Sequence, residues 1–329
     1  MSEKSKEKTM RRHMQERLGK VNNYELYPPL PQKINVELNN TCNQKCVFCS
    51  FHGKYSKYKL KSAVMEPEFA KKILLRAKEL GMGLQEVGFY LAGEPFCYSS
   101  LTDIIVYAKK LGFAYTFLTT NGVLANPEKL KEVIDAGIDS IRFSVNAADR
   151  ETYRELHGTD DFDNVLNNIK FLHQYIEEKQ LKVATSLSCV ITKKTIGIQN
   201  AIRELFGSYV DDILFIPVTL GRLVDLPEVR ETYEVINDDD LEINDKAVCP
   251  ILYDTMYINA LGQVVPCCNA YDYDLSFHDL KQDFDLEKAW NSEGYLQYRK
   301  VFLEHSSYEG TICGSCYMVK KGVERLMME

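Results

Sequence analysis

The chain has no apolar run approaching the roughly 18–20 residues that a membrane span requires. It shows no secretory leader, because the opening stretch MSEKSKEKTMRRHMQERLGK is charged and has no hydrophobic region. That stretch reads as a solvated tail, and its lack of a clear apolar face gives a membrane surface little to hold. Positive charge is in short supply too. Lys and Arg total 40 against 47 Asp and Glu, a formal net charge of −7, which argues against nucleic acid as the main partner. With no leader and ten cysteines, the expected setting is the reducing cytoplasm. There, spaced cysteines read as metal ligands or redox groups before they read as disulfides.

What is present is a length of 329 residues at 45% hydrophobic content, enough for one large α/β domain and a smaller appendage. KINVEL, EVGFYLA, AYTFLTT, SIRFSV, KVATSLSCVI and DILFIPV read as six near-continuous apolar strands. Helical patterns lie between them, such as PEFAKKILLRAKELG with Phe69, Ile73, Leu74, Ala77 and Leu80 at helical spacing and Gly81 as its stop. LTDIIVYAKKLG, PEKLKEVIDAG, NVLNNIKFLHQYIEEK and IQNAIRELFG follow the same alternation. Strands of this kind are buried on both faces of a parallel sheet. Six strand–helix units predict an α/β fold, a partial (β/α)6 TIM-like barrel, with its reactive groups on loops at the C-terminal strand ends.

Three cysteines, Cys42, Cys46 and Cys49, follow the first strand in CNQKCVFC. Three thiolates on one loop can hold three corners of an iron–sulfur cube and leave one iron without a protein ligand. Gly93-Glu94-Pro95 follows the second strand, Thr119-Thr120-Asn121-Gly122 closes the third, and Ser144 and Asn146 close the fourth. Each is an ordinary turn by itself. Their shared register with the strand ends is the informative feature.

On these motifs the region from about 30 to 220 resembles a radical SAM enzyme. The resemblance implies that Cys42, Cys46 and Cys49 ligate a [4Fe–4S] cluster whose fourth iron is chelated by S-adenosylmethionine (SAM). One electron would then cleave SAM to a 5′-deoxyadenosyl radical, which abstracts a substrate hydrogen atom. It implies a low-potential electron donor such as flavodoxin or ferredoxin. It places Phe48 at the adenine and Gly93-Glu94-Pro95 at the methionine amine, through both backbone and acid, with Ala92 replacing the family's first glycine. Asn121, Ser144 and Asn146 join them as cofactor-binding residues. In TYRELHGTDDF, His157 stands where the family often has an arginine, so Arg154 is expected to meet SAM or His157 to serve substrate, unless His157 is a bland surface residue.

The tail carries a second pattern. Cys249 is followed by Gly262, Cys267 and Cys268, then by Cys313-Gly-Ser-Cys316. MYINALGQVVPC reads as a hairpin turning at Leu261-Gly262. The pattern resembles the twitch/SPASM extension of radical SAM enzymes and implies one closed auxiliary [4Fe–4S] cluster on Cys249, Cys267, Cys313 and Cys316. Cys267 and Cys268 could exchange roles, and a four-cysteine zinc knuckle has compatible spacing. The expected divisions are an N-terminal extension over 1–32, a core over 33–220, a linker over 221–248 containing the acidic run NDDDLEIND, and the auxiliary domain over 249–329.

A closed cluster beside an open one suits oxidation: hydrogen abstraction followed by loss of one electron. The favoured expectation is dehydrogenation of a small sugar- or cyclitol-like alcohol. A peptide- or protein-modifying maturase is the alternative, and a non-catalytic iron–sulfur sensor or carrier is the third reading. Epimerisation would need a thiol donor, for which Cys97, near the SAM pocket, and Cys189, read as possibly inward-facing on the fifth strand, are candidates.

Overall fold

The computed structural model describes residues 24–56, 61–218, 226–234, 247–270, 275–308, 311–316 and 319. Its first six strands are β1 (Lys33–Val36), β2 (Glu86–Phe89), β3 (Thr116–Thr120), β4 (Ser140–Ser144), β5 (Ala184–Ile191) and β6 (Asp212–Pro217). All five pairings among neighbours in this series are parallel. Between them run α1 (Pro67–Glu79), α2 (Leu101–Lys110), α3 (Pro127–Asp135), α4 (Arg150–His157), α5 (Phe162–Lys179) and α6 (Gln199–Phe206). Local chemistry accounts for the helix boundaries. Pro127 opens α3 behind the Asn126 cap, whose side chain accepts from Lys129 N–H. Gly158 takes a left-handed conformation after α4.

The strands use their two faces differently. Ile34, Val36, Val87, Phe89, Leu118, Ile141, Phe143, Leu187 and Phe215 belong to one large apolar cluster shared with Ile73, Leu74, Ile104, Leu130, Val165 and Ile202 of the helices. The alternate positions carry Asn35, Tyr90, Thr119, Ser144, Ser186 and Ser188, so the inner face of the barrel is polar and rich in hydroxyls. Ser144 Oγ and Ser188 Oγ meet at 3.5 Å across β4 and β5. Cys189 falls on the helix-facing side: it is fully buried within the apolar cluster. Its expected inward direction is therefore corrected by strand parity.

The tail is joined to the barrel more closely than a separate appendage would be. β7 (Thr255–Ile258) pairs in parallel with β1, and β8 (Gln263–Val265) and β9 (His278–Asp279) add antiparallel strands beyond it. The nine-stranded order is β6-β5-β4-β3-β2-β1-β7-β8-β9. Gly262 turns the β7–β8 hairpin with φ +85°. Arg299, in the helix Glu293–Leu303, is fully buried between Trp290 and Tyr295 and donates to the carbonyls of Leu252 and Leu26. It thereby ties residues just before β1 to the tail. Residues 24–32, placed in an extension by sequence, dock there, with Trp290 donating to the Pro29 carbonyl.

The span read as a linker contains a helix, α7 (Pro227–Tyr233). Its Val229 and Tyr233 pack with Val47, Leu156 and Val218, so a solvated linker is the wrong description for this part. The acidic run 237–245 lies outside the described residues, as do positions 1–23 of the N-terminal extension. No helix among the described residues is long and apolar enough to cross a membrane.

Candidate active site

Parallel pairing puts the loops after β1, β2, β3 and β4 at one end of the sheet, and the motif residues converge there. The cysteine loop is a tight coil. Cys49 N–H donates to the Cys46 carbonyl, and Gly53 N–H to the Cys49 carbonyl. A Cβ on Gly53 would sit 2.4 Å from the Cys49 oxygen and 2.5 Å from the Cys46 oxygen, so this position has room only for glycine. The coil is fastened to the end of α4 by Lys45 N–H to the His157 carbonyl and Val47 N–H to the Leu156 carbonyl.

Each of the three sulfurs faces N–H donors. Cys42 Sγ receives Gln44 N–H at 3.5 Å and the Asn121 amide at 3.7 Å. Cys49 Sγ receives His52 N–H at 3.3 Å. Cys46 Sγ lies 3.6 Å from His157 Nδ1. Burial raises the Cys46 thiol well above its usual range, and the nearby Cys49 and Cys42 raise it further. Burial likewise pushes Cys42 up to about 12. Half-buried thiols close to one another, facing N–H groups and a ring nitrogen, are donors that a cationic iron centre would take as thiolates.

Several residues expected to touch a cofactor instead frame the cysteine loop. The buried Glu94 carboxylate accepts from Thr120 Oγ1 at 2.7 Å, Asn121 N at 2.7 Å and Phe96 N at 3.1 Å. Its acid is thus turned into the fold, which corrects the expectation that it meets the methionine amine. Gly93 permits a close crossing, since its Cβ would lie 2.1 Å from the Asn39 carbonyl oxygen. Pro95 opens a short 3-10 turn, Pro95–Cys97. Asn121 donates to Asn43 Oδ1 at 2.8 Å as well as to Cys42. Asn146 accepts Val190 N–H at 2.7 Å, while its own amide meets His157 Nε2 at 3.2 Å.

Two expectations are corrected. Arg154 lies on the exposed face of α4, near Asp160, rather than in the site. His157 is fully buried with both ring nitrogens engaged, so it reaches neither solvent nor an open substrate space. Burial pushes its pKa down to about 3. Cys97 sits against the cysteine loop, where Thr41 and Asn43 hydrogen-bond to it. Phe48 is half-buried against the cluster that includes Val47, Leu156 and Val229, and Ser144 is half-buried at its strand end.

The tail cysteines also gather. The Cys249 thiol is raised by burial and by nearby Cys316 and Cys313. Cys267 is raised by burial and then by Cys268, Cys249 and Cys316. Ile251 and Leu252 N–H groups face Cys249, and Asn269 N–H lies 3.4 Å from Cys267 Sγ. The four thiols are thus neighbours, while among the described residues no group of three or more Cys, His, Asp or Glu is arranged to hold a single metal ion. Cys268 packs among Tyr257, Val265, Ala270, Tyr90 and Leu91, between hairpin and barrel mouth. Tyr90 and Tyr257 bring their hydroxyls to 3.2 Å there.

Glu37 was missed by sequence reasoning. Its buried carboxylate accepts Ala92 N–H at 2.7 Å and Gly93 N–H at 3.1 Å on one oxygen, and Ala260 N–H at 2.9 Å on the other. It therefore clamps the loop after β2 to the turn of the tail hairpin. An acidic residue directly after β1, between Val36 and Leu38, was the available signal.

Residues 36–201, half of the chain, match the radical SAM superfamily. The chain belongs to that superfamily. Residues 249–317 of this radical SAM protein match an iron-sulfur cluster-binding domain, SPASM. The two domains imply SAM and two iron–sulfur clusters as its cofactors. A protein of Sulfurisphaera tokodaii named as a probable GTP 3′,8-cyclase is 29% identical over 293 residues, 78% of this chain and 88% of that protein. Another so named, from Saccharolobus solfataricus, is 33% identical over 142 residues, and the match spans 42% of its length and 42% of this chain. Among solved structures, BtrN in complex with AdoMet and 2-DOIA aligns with a TM-score of 0.54 at 16% identity, over 84% of this chain and 88% of that one. Streptococcus suis SuiB bound to precursor peptide SuiA aligns at 0.63 and 16% identity, over 93% and 73%. At these identities the structural likeness is one of fold.

Proposed function

We propose that this radical SAM enzyme oxidises a small polar substrate, of the sugar- or cyclitol-like alcohol class, by removing a hydrogen atom, a proton and one further electron. Cys42, Cys46 and Cys49 would hold the SAM-binding cluster, and Cys249, Cys267, Cys313 and Cys316 the auxiliary cluster. When bound, these groups supply a 5′-deoxyadenosyl radical for hydrogen abstraction and an acceptor for the remaining electron. A low-potential flavodoxin or ferredoxin is the reductant this chemistry calls for.

The observation that carries the reading is the iron-sulfur cluster-binding domain over residues 249–317, in which Cys249, Cys267, Cys313 and Cys316 lie near one another. A cluster with four protein ligands would have no vacant iron for substrate, so its chemical use would be electron transfer. The chain's own contribution is position. Phe48, Ser144 and the backbone around Ala92 and Gly93 line the cofactor end, and Glu37 fixes the distance between that loop and the hairpin. The hydroxyl-rich inner strand face suits a polar substrate. Lower on the inner face the packing is tight: a Cβ on Gly88 would meet Asn35 at 2.4 Å and the Phe117 ring at 2.8 Å.

The likeness to probable GTP 3′,8-cyclases favours a second reading, radical cyclisation of a purine nucleotide. One assay separates the two. Reduced, reconstituted protein is incubated with SAM and either GTP or a panel of polyols and aminocyclitols, and 5′-deoxyadenosine and product are measured. Alcohol-dependent 5′-deoxyadenosine with a matching carbonyl product supports the oxidation. GTP-dependent turnover with a cyclised product overturns it. No 5′-deoxyadenosine from a cluster-replete sample, with or without candidate substrates, would count against the enzyme reading itself.

A further inference from the structure

His157 stands at an unusual junction. It ends α4, and the two backbone bonds that fasten the cysteine loop to α4 join its carbonyl and that of Leu156 to Lys45 and Val47. The ring and Cys46 therefore belong to one locally rigid unit. The hydrogen bonds also settle the tautomer. Nε2 lies 3.2 Å from the backbone nitrogen of Asn146, which can only donate. Nε2 must then carry the lone pair, and the ring proton must sit on Nδ1.

Nδ1 faces two acceptors, Gln44 Oε1 at 3.0 Å and Cys46 Sγ at 3.6 Å. The ring cannot easily turn away from either. It stacks on Tyr153 with centroids 4.1 Å apart at 12°, and Tyr153 Oη receives the Gln44 amide at 2.6 Å. Asn146 is held from its far side by Val190 N–H. An arginine here would bring a full charge to the loop. The histidine brings a neutral, directed N–H.

We propose that His157 is a positioning residue that acts through Cys46: its Nδ1–H, shared with Gln44 Oε1, donates to the Cys46 sulfur and raises the reduction potential of the cluster held by Cys42, Cys46 and Cys49. The inference rests on the assignment of those three cysteines as cluster ligands. The physical reason is simple. A hydrogen bond to a ligating sulfur withdraws electron density, which favours the reduced state. Asn146 contributes indirectly, because its backbone N–H selects the tautomer that makes the donation possible.

The test is an EPR-monitored redox titration of anaerobically reconstituted full-length protein, following the signal that changes when SAM is added. That choice separates this cluster from the auxiliary one. In His157→Phe the reduction equilibrium constant is expected to fall by roughly threefold to tenfold, tenfold being about 59 mV for a one-electron couple. His157→Asn places an amide N–H near the Nδ1 position and should recover most of that loss. An unchanged potential in His157→Phe, or a potential in His157→Asn as low as in His157→Phe, overturns the proposal. Should His157→Phe fail to keep a cluster, the wild-type protein still gives an answer. With imidazole-15N-histidine, pulsed EPR of the SAM-sensitive cluster should show a 15N coupling that His157→Asn abolishes, and absence of that coupling refutes the donation. A protein with no SAM-sensitive cluster would instead defeat the ligand assignment, and this inference with it.

Discussion

Replacing Glu37 with glutamine tests the link between barrel and tail with almost no change of shape. The carboxylate accepts three backbone N–H groups, from Ala92, Gly93 and Ala260. Glutamine has one oxygen, which can keep the Ala92 and Gly93 bonds, but its NH2 then faces the Ala260 N–H. That buried donor is left unpaired, at a cost of about 1–3 kcal/mol. The two surviving bonds also lose their charge assistance, worth about 0.5–1 kcal/mol each. The expected destabilisation is therefore about 2–5 kcal/mol, with Ala260 the most affected point. Hydrogen–deuterium exchange reads this directly. Peptides containing Ala260 and Ala92–Gly93 should lose protection, while a peptide covering α5 should not. Thermal midpoints compared at equal cluster loading should fall in parallel. Unchanged protection at Ala260, with less than about 0.5 kcal/mol lost, would refute the clamp and place this substitution among ordinary neutral ones.

Other expectations follow from the same geometry. Gly53→Ala forces a methyl group against two backbone oxygens, so the cysteine loop must open. Anaerobic reconstitution of this variant should lose most iron bound by Cys42, Cys46 and Cys49 and keep that of the tail, and full loading would contradict the packing argument. Asp149 caps α4, accepting Thr152 N–H at 2.9 Å, and this bond lowers its pKa. Its contribution is present above the ordinary carboxylate range and fades as pH falls through the depressed folded value. Asp149→Ala should cost about 1 kcal/mol at neutral pH. In stability measured against pH, the difference from wild type should shrink toward acid; a constant difference would argue against the cap.

The strands and helices were legible because each apolar run was punctuated by glycine, proline or a capping residue. All six barrel strands appear where the patterns place them, and the tail hairpin turns at Gly262 as its sequence suggests. The direction of Cys189 was legible too, because Ser186-Leu187-Ser188-Cys189 alternates with period 2 and puts Cys189 on the side of Leu187. Two matters were hidden, each for a physical reason. β7 joins β1 in parallel more than two hundred residues away in sequence, and no local pattern reports a pairing of that range. The hydrogen-bond partners of Glu94, Asn121, Asn146 and His157 were hidden because motif spacing places a residue at a strand end without saying which way its polar atoms turn. Glu94 and Asn121 spend their hydrogen bonds on neighbouring loops, and His157 is enclosed by Tyr153, Gln44 and Asn146. The three-cysteine signal was the plainest because its chemistry depends on spacing within one short loop.

Iron stoichiometry in anaerobically purified and reconstituted protein tests the central claim, an open three-thiol centre beside a closed four-thiol one. The account predicts about eight irons per chain, falling to about four when Cys42, Cys46 and Cys49 are all changed to alanine. About four irons in the wild type together with one zinc, all iron lost in the triple variant and the zinc retained, would contradict it by making the tail a structural metal knuckle.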